Sequence, residues 1–143
     1  MTNTFGSDNS YFLNILKSIG SVLAGLSTIF AVSLGTDQIL HVLNVYPPWG
    51  EPMFDHGLNA LALSYRLVYG VLGSYITAFL APKNPMRHTL VLGGIGLILS
   101  TIGAIGALQY NLGPIWYPVA LIVSALPSAW LGAKIRERQG ETR

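Results

Sequence analysis

A chain of 143 residues that is 51% hydrophobic and only 10% charged has too little polar surface to cover a water-soluble core, since soluble domains carry about a quarter charged residues. Its net charge of +2 comes from a few scattered basic residues with no basic cluster interleaved with aromatics, which argues against a nucleic-acid partner. The absence of cysteine removes disulfides, thiolate metal ligands, cysteine nucleophiles and dithiol redox chemistry together.

Residues 1–10 (MTNTFGSDNS) read as a loose polar tail on the cytoplasmic side. A charge-free apolar stretch follows over 18–36, and the helix it predicts continues through Asp37 and Gln38 to about residue 43. About twenty apolar residues cross a hydrocarbon core of roughly 30 Å. A cleavable leader is the competing reading, because Lys17, the apolar run and Ala31-Val32-Ser33 resemble its three regions; a mature N-terminus near Leu34 would mark it. Residues 41–56 (HVLNVYPPWGEPMFDH) contain Pro47, Pro48 and Pro52 and cannot form one helix, so they are a loop.

The second span is expected over 57–81, interrupted only by Arg66. Pro82, Asn84 and Pro85 make a tight turn, with Pro85 suited to the first turn of the next helix. A third span over 89–110 has no charge, Asn111, Gly113 and Pro114 form a second turn, and a fourth span covers 115–133 with Pro127 inside it. The tail KIRERQGETR closes the chain as a stop-transfer anchor or a docking helix. The fold class is therefore all-α, a single-domain four-helix transmembrane bundle.

Every lysine and arginine except Arg66 falls on one side of this arrangement, while Glu51 and Asp55 lie on the other. The positive-inside rule then places both termini in the cytoplasm. Small residues recur at helical spacing on two of the spans: Ser21, Gly25, Thr28, Val32 and Gly35 on the first, Gly93, Gly96, Ser100, Gly103 and Ala107 on the third. Such stripes let helix backbones approach closely in lipid. On the second span Asn59, Ala62, Arg66, Gly70, Gly73 and Thr77 share one face, and Leu61, Tyr65, Val68, Leu72, Ile76 and Phe79 are assigned to lipid.

Arg66 is the most informative residue, because an arginine deep in a span costs about 2.5–3.5 kcal/mol on insertion scales. Asp37 is the nearest partner for it, with Asn59 and Tyr69 as further members of an intramembrane polar site. His41, Glu51, Asp55 and His56 supply imidazole and carboxylate ligands of the kind zinc or copper takes, at a spacing that matches no metal motif. Lys83, Arg87 and His88 at the start of the third span suit anionic lipid headgroups. There is no nucleophile elbow, HExxH or phosphate loop, so no catalytic residue and no cofactor is expected.

Small multidrug exporters match this chain in size but rely on a glutamate within the first helix, which is missing here. The segments GTDQILHVLNVYPPWGEPMFDHGLNALALSYRLVYG and PKNPMRHTLVLGGIG resemble those of small, uncharacterised four-helix bacterial membrane proteins. That resemblance implies a four-helix fold in a bacterial inner membrane and no activity. The expectation for function is a non-enzymatic accessory subunit of a membrane assembly. The alternative is a small homo-oligomeric transporter or channel using the Arg66/Asp37 site.

Overall fold

The computed structural model describes residues 4–141, with side chains from residue 8. Four helices follow one another: α1 Thr4–Val42, α2 His56–Leu80, α3 Pro85–Gln109 and α4 Trp116–Glu141. No strand occurs among the described residues. At 1.5 Å per residue, α2, α3 and α4 each span about 38 Å, more than a hydrocarbon core needs. By length and composition α1 (over Asp8–Val42), α3 and α4 are long and apolar enough to cross a membrane. α2, which is not among these three, carries Asn59, Tyr65, Arg66, Tyr69 and Tyr75. It is also the central helix, packed against all three others, whereas α1 and α4 do not pack against each other.

Two ends of the chain differ from the sequence reading. The polar tail is helical from Thr4 onward, because extending an established helix costs far less than starting one. Residues 1–3 of that tail lie outside the described residues. Most of the C-terminal tail likewise continues α4 to Glu141. There Tyr75 donates a 2.6 Å hydrogen bond to Gln139 Oε1, and the Arg136 guanidinium lies over Phe79 at 5.2 Å. This end of α4 thus continues along α2.

The core is built from small side chains. Ala62, Ala78, Ala104, Ala129 and Ala133 are buried, and the largest fully buried side chains are Thr77, Thr89 and Ser21. Large apolar residues such as Leu23, Val68, Val91, Ile98 and Val123 point outward instead. Water would expel such a surface, whereas lipid tails solvate it and leave close packing of small residues to hold helices together. A Cβ on Gly25 would collide with Thr77 and sit 2.5 Å from the Gly73 carbonyl oxygen. One on Gly132 would sit 2.5 Å from Ser74 Cβ and 2.7 Å from the Tyr75 nitrogen. One on Gly93 would meet Ala129 Cβ at 2.7 Å. Backbones thus touch in one layer, where Thr77 also donates to the Ser21 carbonyl at 3.0 Å.

The expected stripes follow this layer only in part. Gly93 and Gly96 of α3 face α4, but Gly103 has no neighbour within 4 Å. On α1 the buried positions run Ser21, Gly25, Ser33, Asp37, and Gly35 is exposed. A row at four-residue spacing is inclined to the helix axis, so α1 crosses α2 and its buried face drifts away from the expected stripe.

Loops close the end opposite the basic residues. Asn44 ends α1 with φ 57, and Val45 and Tyr46 donate back to the Leu40 carbonyl, a left-handed termination that asparagine tolerates. Asp55 caps α2 by accepting from the Leu58 nitrogen. Met53 donates its N–H to the Leu112 carbonyl at 2.7 Å, and Gly113 leaves no room for a Cβ beside Met53. The α1–α2 loop therefore straps the α3–α4 turn.

Candidate functional site

Beyond the layer of backbone contacts the helices diverge, and a cavity of about 280 Å³ opens with walls from all four. Leu92, Gly93 and Ser74 lie at the level of that layer. Asp37 and Arg66 line the same cavity. Most of the wall is apolar, with Ile29, Leu34, Leu67 and Leu121 among its residues, and the hydroxyls of Ser33, Ser100 and Ser128 are set into it.

Arg66 Nη2 donates to Asp37 Oδ2 at 2.5 Å. The other carboxylate oxygen, Oδ1, accepts from the Tyr65 hydroxyl. The Tyr46 hydroxyl lies 3.2 Å from that of Tyr65 and donates to the Leu58 carbonyl at 3.5 Å. A chain of polar contacts, Tyr46–Tyr65–Asp37–Arg66, thus runs from the loop to the middle of the bundle. Burial pushes the Tyr46 phenol above its ordinary range; the Tyr65 hydrogen bond pulls it down, the Asp37 charge raises it, and Arg66 lowers it.

The pair is asymmetric. Asp37 is 7% exposed and has both oxygens engaged, while the Arg66 side chain is 29% exposed. Of the guanidinium nitrogens only Nη2 is hydrogen-bonded among the described residues. The rings of Tyr65 and Tyr117 flank it, each centred 5.8 Å from Cζ, and cation–π attraction adds to its stabilisation. Serine and threonine on helices commonly bond back to the preceding turn, as Thr28, Thr36, Ser74 and Thr101 do here. Ser33, Ser100 and Ser128 do not, and they make no hydrogen bond among the described residues. Ser33 is only 8% exposed. The cavity therefore offers unused guanidinium N–H donors and free hydroxyls within apolar walls.

The other candidate residues lie elsewhere. Tyr69 meets Thr36 at 2.8 Å and stacks obliquely on Tyr65, supporting the pair from the side. Asn59 is buried but points away from Arg66, donating to the Met53 and Asp55 carbonyls at 2.9 and 2.8 Å; it fixes the loop strap. His41 bonds the Pro47 carbonyl through Nδ1 and lies 4.0 Å from the Trp49 ring. His56 accepts from Trp116 Nε1 at 2.8 Å. Asp55 caps α2, and Glu51 sits in a turn closed by its own N–H to Pro48. No group of three or more His, Asp or Glu side chains suited to a metal ion occurs among the described residues. Lys83, Arg87 and His88 surround the start of α3 at the opposite end.

Tyr46 and Tyr65 were not anticipated as partners of the ion pair, because Tyr65 falls on the face assigned to lipid. The usable signal was the carboxylate itself: a buried aspartate has two oxygens to satisfy, and one arginine nitrogen engages only one of them. Compared with models of protein families, with curated proteins and with solved structures, the chain matches none.

Proposed function

We propose that the chain is a four-span membrane protein, basic end in the cytoplasm, whose cavity binds a small amphiphilic ligand. It belongs in this reading to the transporter-like class and not to the purely structural accessory class. The observation that carries it is the inequality within the ion pair. Asp37 is saturated, and Arg66 turns unused donors toward a cavity that also holds three free hydroxyls. A register-fixing ion pair alone needs no cavity, and a sealed core would close over it. The ligand class follows from the walls: an apolar body with one anionic or acceptor-bearing group that reaches Arg66. α1 and α4 do not pack against each other, which leaves a side entry between them for a molecule dissolved in lipid.

Four spans are part of the proposal. Its support is the central position of α2, which turns Asn59 and Arg66 away from the outer surface while Val68 and Phe79 face outward. A bacterial inner membrane is the location proposed for it, on the resemblance of its loop and turn segments.

Native mass spectrometry of the full chain, extracted gently from its own membrane, tests the reading. The expected spectrum shows a small molecule retained by the wild type and lost in Arg66→Gln and in Gly96→Leu, which fills the cavity wall. A wild type carrying no small molecule, but a stoichiometric second protein, would overturn it in favour of the accessory role.

A further inference from the structure

A second concavity, of about 460 Å³, lies between α1 and α3 at the basic end, away from the ion pair. Both helices run outward from that end, so their side chains descend into the bundle in the same order. Its apolar floor is made by Ile19, Val22 and Leu23 of α1 and by Val91 and Ile95 of α3. Its polar mouth is made by Arg87 and His88, and no acidic residue lines it. Arg87 is exposed and its side chain makes no hydrogen bond among the described residues. His88 is held in place through Nδ1 against the Asn84 carbonyl at 3.1 Å. From Arg87 to Ile95 the groove runs about 12 Å along the helix. A positive head and an apolar trough of that length, aligned with the bundle axis, have the polarity of a phospholipid.

We propose that this groove binds one anionic phospholipid, its phosphate on the Arg87 guanidinium and an acyl chain laid along the α1–α3 trough. The guanidinium fork matches phosphate oxygens in a way that an amine does not. Charge complementarity selects the occupant: Lys17 and Lys83 flank the mouth in sequence, and this end of the bundle carries nearly all the basic residues. A zwitterionic lipid leaves that field uncompensated. The site shares no residue with the Arg66 cavity, so each proposal fails or stands independently.

The test is native mass spectrometry of the delipidated full chain, titrated with phosphatidylglycerol and with phosphatidylcholine of the same acyl chains. The wild type is expected to retain one phosphatidylglycerol with about fivefold preference, the scale of one basic side chain against an anionic lipid. Arg87→Gln should abolish that preference, Arg87→Lys should restore part of it, and Val91→Trp should weaken retention of both lipids by filling the trough. Equal retention of the two lipids by the wild type would overturn the proposal. So would a preference that survives Arg87→Gln, or displacement of the lipid by equimolar inorganic phosphate.

Discussion

The two halves of this bundle solve opposite problems with the same four helices. Toward the basic end, Gly25, Gly73, Gly93 and Gly132 bring backbones into contact. Toward the loops, side chains hold the helices apart around a cavity of about 280 Å³. The first half is held by the absence of side chains, the second by a hydrogen-bonded chain from Tyr46 to Arg66. The contrast teaches why a costly arginine is tolerated: the tight layer anchors the helices, and the space beyond it lets a charged group find partners and keep donors in reserve.

The largest expected effect comes from spoiling the tight layer. Gly73→Leu drives a side chain into α1, and Gly132→Leu drives one into α2; each should cost about 3 kcal/mol or more, since overpacking of this kind forces backbones to move. Gly94→Ala and Gly106→Ala, with open space around the added methyl, should be neutral or stabilise by up to about 1 kcal/mol through helix propensity. Thermal unfolding in one detergent compares the four; equal losses at all of them would contradict the assignment of Gly73 and Gly132 to close helix contacts.

The ion pair comes next. Arg66→Gln strands the Asp37 carboxylate at 7% exposure and should cost about 3 kcal/mol, the scale of breaking one partner from a buried pair. Asp37→Asn leaves a more accessible arginine and should cost less. The double variant should recover part of the loss, and simple additivity in the unfolding series would contradict the coupling. Asn59→Leu should lose about 1–2 kcal/mol by leaving the Met53 carbonyl short of a donor, loosening the strap without touching the cavity. Ser33→Ala and Ser100→Ala remove hydroxyls that make no hydrogen bond among the described residues and should change stability by no more than about 0.5 kcal/mol. The half-exposed Lys134–Glu137 pair, 2.9 Å apart, sets the bottom of the series: Lys134→Gln should fall within about 0.5 kcal/mol of wild type.

Much of this architecture was legible beforehand, for reasons that differ by residue. Pro47, Pro48, Pro52, Pro82 and Pro114 mark the loops because proline cannot donate to a helix ladder, and the helices lie between them as expected. The meeting of Asp37 with Arg66 follows from the cost of an unpaired charge among apolar residues, which leaves few partners within reach. What periodicity could not supply was the crossing of α1 over α2. That crossing moves the buried row from Gly35 to Ser33 and Asp37, turns Tyr65 inward, and opens the cavity. Nor does composition tell a helical tail from a loose one. Residues 4–10 and the stretch after Ala133 are polar, and they are helical as continuations of longer helices.

Because the chain contains no cysteine, single cysteines give the most direct test of the difference between the halves. Ser100→Cys places a thiol on the cavity wall, and Ser21→Cys places one in the tight layer, where the serine is 1% exposed. Labelling each in native membranes with a small, membrane-permeant thiol reagent reads access to open space from lipid or water, and the reactive form is the thiolate. The cavity account predicts labelling at Ser100→Cys, blocked by the retained ligand and restored on its removal, with none at Ser21→Cys. Resistance at both positions, in ligand-free protein that still unfolds like the wild type, would contradict it.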